Sequence, residues 1–189
     1  MKKLFILSVI LGAILVSAPV LSQKKGTQAN VDPEFQKFWG EFSNIVSKGR
    51  HWELTQNGYV AEPFIYRGEC IGDEFAILLS NFQFDHFINL DAEVKKGIKK
   101  FKLSDLTFET KDDETFKFRT NEDDNCPGVI VVKDEYGNKS YFRNYGKHIP
   151  NGTKIYVVNL PTNAPYITYK FAKLDGSFKF IFMEIVCVD

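Results

Sequence analysis

The chain has 189 residues, with 24 Lys+Arg balanced by 24 Asp+Glu, 44% hydrophobic residues and 25% charged ones. Zero net charge excludes a nucleic-acid binder that works through a large uniform positive field. The apolar fraction, with 18 Phe, 8 Tyr and 2 Trp, excludes an intrinsically disordered chain.

The N-terminus reads Met1-Lys2-Lys3, then an apolar stretch of 13 residues (4–16), then Ser17-Ala18-Pro19-Val20-Leu21-Ser22. A membrane-spanning helix needs about 20 apolar residues, so this run reads as a secretory signal peptide. Val20 and Ser22 stand three and one residues before a cut at Gln23, whereas Pro19 disfavours a cut after Ala18. Residues 1–22 are therefore the expected signal peptide, with an uncleaved anchor as the alternative. The mature chain is expected outside the cytoplasm, in the periplasm or beyond the cell, with no further transmembrane segment.

Residues 23–31 are polar and aperiodic and predict a flexible leader. A helix follows. Asp32 is its N-cap candidate, Pro33 suits the first helical position, and Phe35, Phe38, Trp39, Phe42, Ile45 and Val46 fall on one stripe before Gly49. A short second helix over residues 50–56 is expected, then a loop or short strand over 59–70 that contains Pro63. Asp73 is expected to cap a helix carrying Phe75, Leu78, Leu79 and Phe82. Another helix over 90–101 has Asp91 early and Lys95, Lys96, Lys99 and Lys100 late, complementing the helix dipole.

From about residue 104 the period becomes that of strands, at 106–109, 115–119, 129–132, 141–142 and 153–160. Residues 166–174 and 178–188 flank Asp175-Gly176, the dipeptide of a primed hairpin turn. Phe178, Phe180 and Phe182 should form one row of the last strand, with Ile181, Met183 and Ile185 on the other. Such a strand belongs at the centre of a sheet or under cover on both faces. Helices followed by strands predict one α+β domain over 32–189, with N-terminal helices packed on one face of a curved, mainly antiparallel sheet.

Cys70, Cys126 and Cys187 allow one disulfide with one thiol left over. The loop-like contexts of Cys70 and Cys126 make those two the candidate pair, with three unpaired cysteines as the alternative. Cys187 reads as a buried strand residue. No CxxC and no Cys/His cluster is present, so no metal site is expected.

The opening aromatic helix (Phe35 to Val46), the segment after Gly72-Asp73-Glu74-Phe75 and the closing hairpin from Tyr169 through Asp175-Gly176 to Phe180 together resemble the nuclear transport factor 2-like, or cone-shaped α+β, superfamily. Within it they resemble uncharacterised secreted bacterial proteins. Residues 102–160 depart from a compact member, because their acidic loops look like insertions. The resemblance implies a pocket between sheet and helices, which different members use as an enzyme site, a small-molecule site or simply a core; fold does not decide between them. Trp39, Phe42, Tyr66, Tyr169 and Phe171 are the aromatics that would line an apolar pocket or, equally, pack an ordinary core. A second likeness, of residues 129–189 to a bacterial SH3-like envelope-binding module, lacks that module's later Gly-Trp pair.

Among the three histidines, His51, His86 and His148, only His86 has an acid beside it. Asp85–His86 is the weak acid–base candidate, although neighbours in sequence point in different directions. No nucleophile elbow and no phosphate loop is visible. The clusters Asp112-Asp113-Glu114 and Glu122-Asp123-Asp124 do not match a calcium loop and read as solvated turns. The lysines at 95, 96, 99, 100 and 102 read as an exposed helix face. The sequence thus predicts an exported, cofactor-free, non-catalytic protein that binds a protein partner or a small apolar ligand. The alternatives are a pocket enzyme using Asp85 and His86, and an SH3-like envelope-binding module.

Overall fold

Helix α1 spans Pro33–Ser47 in the structure, a computed structural model that describes residues 31–70, 73–88, 92–123 and 125–187. The expected signal peptide and nearly all of the expected leader lie outside the described residues. Asp32 caps α1 by accepting the Glu34 N–H at 2.8 Å. The six stripe residues from Phe35 to Val46 are all buried. Gly49 ends the helix at φ +72°, where a side chain would be strained. Helix α2 follows at Trp52–Gln56.

Residues 59–70, expected as a loop or short strand, instead contain the long strand β1, Val60–Cys70. Pro63 is tolerated because it falls in the register gap between Val60 and Ile65 of the pairing with the last strand, and before pairing with the next strand starts at Phe64. The helix expected after Asp73 is not formed. Asp73–Leu79 is strand β2, held to β1 by a seven-rung antiparallel ladder. The run Phe75-Ala76-Ile77-Leu78-Leu79 has no period of its own, and pairing with β1 decides it. Helix α3, Asn81–Phe87, starts only at the Ser80–Gln83 capping box. Helix α4 is Ala92–Lys100, and the expected Asp91 start lies outside the described residues.

After a 3₁₀ turn come β3 (Thr107–Thr110), β4 (Lys117–Arg119), β5 (Val129–Lys133), β6 (Lys139–Asn144), β7 (Lys154–Leu160), β8 (Tyr166–Leu174) and β9 (Ser177–Val186). Six strands form a curved sheet in the order β2-β1-β9-β8-β7-β3, antiparallel except for β1–β9. The other three form a small antiparallel sheet, β4-β6-β5. Helices followed by strands is therefore too simple an order, because the β1–β2 hairpin sits between α2 and α3. Residues 129–189 are not a separate SH3-like barrel either. Their strands divide between the two sheets, and β9 pairs with β1.

The helices cover one face of the large sheet. Phe35 stacks on Tyr156 at 4.4 Å between ring centroids, and Phe42 meets Phe171 at 5.0 Å and Phe180 at 5.2 Å. The opposite face carries a second core, in which Phe116, Tyr145, Ile149 and the partly buried Phe118 pack on Ile65, Ala76, Ile155, Ala172, Ile181 and Phe182. Gly146 permits the close approach of Phe116, whose ring lies 2.4 Å from where a Cβ would stand. β9 is central and covered on both faces, as its pattern implies. Its rows are not the expected ones. Phe171 pairs with Phe180 and Lys170 with Phe182, so Ile181 is an extra residue, a bulge that exchanges the faces beyond it. Phe178, Phe180, Met183 and Ile185 thus face the helices, while Ile181 and Phe182 face the small sheet.

Candidate functional site

Trp39, Phe42, Tyr169 and Phe171 come together as the sequence suggested, but as a packed layer. Trp39 and Phe171 lie 5.8 Å apart and Tyr169 and Phe180 lie 4.7 Å apart, and Phe42, Tyr169 and Phe171 have no exposed surface. Tyr66 packs at the margin of the same core, half-buried against Phe75 at 5.8 Å, and burial raises its phenol pKa. None of these five residues lines the clefts described below.

Asp85 and His86 do not converge. Both Asp85 carboxylate oxygens accept from the Thr55 hydroxyl at 2.9 Å, tying α3 to α2. His86 is exposed, with Nδ1 2.7 Å from the Phe82 carbonyl and its ring against that of Phe82. His51 contacts the Asp85 carbonyl at 3.3 Å, and His148 lies in the loop before β7.

Cys126 is a free thiol in the turn before β5, and Cys187 is disulfide-bonded. The Cys70–Cys126 bridge is therefore not formed. Cys126 belongs to the small sheet's loop, whereas Cys187 extends β9 along β1 and donates its N–H to the Glu69 carbonyl at 2.8 Å. Cys187 is also exposed rather than buried. The acidic segments are turns. Asp112 accepts from Thr115 and from the Glu114 N–H, and Asp123 accepts the Asn125 N–H. Among the described residues no group of His, Cys, Asp and Glu could hold a metal ion. Lys96, Lys99, Lys100 and Lys102 are exposed, as expected of a solvated face, whereas Lys95 is half-buried.

The feature that sequence reasoning missed is Arg67. It points from β1 toward the small sheet and is only 19% exposed. Its Nη2 donates to Glu74 at 2.8 Å and to Glu69 at 3.1 Å, Nε donates to Glu74 at 3.2 Å, and Nη1 meets Glu184 of β9. The guanidinium lies 5.1 Å from the Phe118 ring centre of β4. Burial alone would lower its pKa, but the facing carboxylates of Glu74 and Glu184 outweigh it and raise the value. One guanidinium thus stitches three strands of the large sheet to the small one. The available signals were an Arg directly after the apolar stretch 64–66 and a lone Glu inside the stretch 181–186.

Beside this cation the two sheets diverge and leave a cleft of about 680 Å³. Glu69, Glu74 and Phe75 line it from the large sheet. Arg119, Thr120, Asn121, Lys139, Ser140 and Tyr141 line it from the small-sheet side. Carboxylates therefore face cations across the opening, with two aromatic rings in reach. The charged and polar side chains described along it, Glu69, Glu74, Arg119 and Lys139 among them, can recognise a ligand by charge and hydrogen bonding. The cleft joins residues 69–75 to residues 119–121 and 139–141, and nothing local in the sequence announces it.

No family model matches the chain. No curated protein matches it. Among solved structures it is similar to an NTF2-like protein from Bacteroides fragilis, at 13% identity over 85% of this chain with a TM-score of 0.37. The chain spans 50% of that protein's length. It is also similar to a Xanthomonas campestris protein described as a calcium/calmodulin dependent protein kinase II association domain, at 11% identity over 86% of this chain and 95% of that one, TM-score 0.30. At these scores neither likeness carries an argument. The α+β arrangement, helices over one face of a curved and mainly antiparallel sheet, is read from the chain itself.

Proposed function

We propose that the protein is exported and acts as a non-catalytic binding protein that holds a dipolar partner, such as a peptide segment carrying both charge signs, in the cleft between the two sheets. The observation that carries this reading is the opposition of Glu69 and Glu74 to Arg119 and Lys139 across one opening. Such walls favour a ligand that presents a cation to one side and an anion to the other, and they orient it. A small apolar ligand has less support, since the helix-side rings fill one another's space. A pocket enzyme has lost its support with the exposure of His86. Export rests on residues 1–22, and N-terminal sequencing of the protein recovered outside the cytoplasm should begin at Gln23.

The binding test is an NMR titration of the mature chain with the tripeptide Lys-Ala-Glu. Saturable shifts confined to the amides of residues 69–75, 119–121 and 139–141, reduced in Arg119→Glu, are expected. Shifts elsewhere, or none, contradict the reading.

A further inference from the structure

At the other end of the small sheet lies a cleft of about 530 Å³, lined by Lys111, Lys117 and Lys147, by the carboxylates Asp113 and Glu114, and by Ile130 among others. Its distinguishing member is Lys111, the one charged residue among the buried polar side chains described, at 2% exposure. The sequence puts it there by backbone pairing. Lys111 N–H donates to the Thr153 carbonyl at 2.9 Å and its carbonyl accepts from Gly152 N–H at 2.8 Å, extending the β3–β7 ladder by one rung. Its side chain then runs beneath the Asp112–Thr115 turn. The ammonium donates to the Asp112 carbonyl at 2.5 Å and to Asn151 Oδ1 at 2.7 Å. Both acceptors are neutral, and among the described residues no carboxylate lies within ion-pair distance of it.

A buried ammonium with two neutral acceptors has one N–H donor to spare, and the Asp112 carboxylate acts on its charge only from beyond ion-pair distance, which leaves room for a directly bound anion. The other charges of the cleft leave that place open. Lys117 is paired with Glu114 at 3.0 Å. Asp113 accepts from Asn151 Nδ2 at 2.8 Å, so this amide links it to Lys111 without a direct ion pair. Lys147 is exposed at the rim. Ile130, 40% exposed on β5, and the buried Ile149 supply an apolar wall.

We propose that this cleft is a site for a small organic carboxylate, whose head group binds Lys111 and Lys147 and whose short aliphatic tail lies against Ile130. The site is separate from the one between Glu69 and Lys139, and its test does not depend on that reading.

The experiment is a ¹H–¹⁵N titration of the mature chain with sodium acetate and sodium butyrate at constant ionic strength, following the side-chain amides of Asn144 and Asn151 and the backbone of residues 111–117 and 144–151. Butyrate should saturate and bind about tenfold tighter than acetate, from the added buried methylenes. Lys147→Ala, at an exposed position that leaves folding intact, should weaken butyrate about fivefold, as expected for one facing charge. Ile130→Ser should bring butyrate down to the affinity of acetate without changing acetate itself. Absence of saturation, or a dissociation constant unchanged in Lys147→Ala, overturns the site. Equal affinity for acetate and butyrate in the unaltered protein overturns the tail contact and with it the proposed ligand class.

Discussion

The two faces of the large sheet are held by different means. On the helix face, α1 buries six apolar side chains in the core that also holds Tyr156, Phe171, Phe178 and Phe180, an aromatic layer whose charged neighbours, Lys154 and Lys173, sit over its outer rings. On the other face, the small sheet is fastened by a few anchors, chiefly Phe116, Phe118 and Tyr145, together with the Arg67 cluster. Continuous apolar burial carries stability, whereas an anchored layer leaves open seams at its margins. Both proposed ligand clefts lie in those seams.

The comparison breaks most visibly at Phe42. Phe42→Ala should cost about 3–5 kcal/mol, read as a fall in the denaturation midpoint with one cooperative transition. The next effect separates the cysteines. Cys187→Ser should cost about 2–4 kcal/mol under oxidising conditions, whereas Cys126→Ser should stay within about 0.5 kcal/mol. Equal effects of the two would contradict the assignment of Cys126 as the free thiol.

Arg67→Met keeps much of the side-chain volume but leaves the Glu74 and Glu184 carboxylates facing each other. A loss of about 1–3 kcal/mol is expected, discounted for partial exposure. Hydrogen exchange should accelerate in β4–β6 more than in β8–β9. Arg67→Lys should not restore the parent behaviour, because an ammonium cannot reproduce the forked contacts to three carboxylates.

The smallest effect is acid-dependent. Hydrogen bonds from the Thr115 side chain to Asp112, and from the Asn138 side chain to Asp134, hold both carboxyls below their ordinary value of 3.8. Folded values lie below unfolded ones, so this contribution is whole above the ordinary carboxylate range and is lost as pH falls through the depressed folded values. An acid titration followed by amide exchange should loosen residues 112–115 and 134–138, at the margins of the small sheet, while β8 and β9 stay protected. Simultaneous loss in all of these segments would contradict the division between the two faces.

The helix face was legible in the sequence because its determinants are local. The Asp32-Pro33 start, the stripe from Phe35 to Val46 and the Asp175-Gly176 turn each declare an element within a few residues. Asp175 and Gly176 indeed take φ of 49° and 79°. The segment 73–79 was not legible, since a run of consecutive apolar residues fits a helix or a covered strand until its partner β1 is known. The bulge at Ile181 depends on registering β9 against β8, and it reassigns every side chain beyond it. The clefts were least legible. Glu69 and Lys139 come to line one cleft only after two sheets have stacked, and Lys111 reaches Asn151 only through the pairing of β3 with β7. By contrast, Asp85 and His86 are adjacent in sequence and diverge on one helix.

The most direct test of the account is native-state hydrogen exchange of the unmodified protein, resolved by residue. The amides of β8 and β9 should open only with global unfolding, and those of β4, β5 and β6 should open earlier, together, as one unit of lower free energy. A single opening free energy shared by both groups would contradict the central claim that an apolar layer carries the stability and an anchored sheet forms the binding seams.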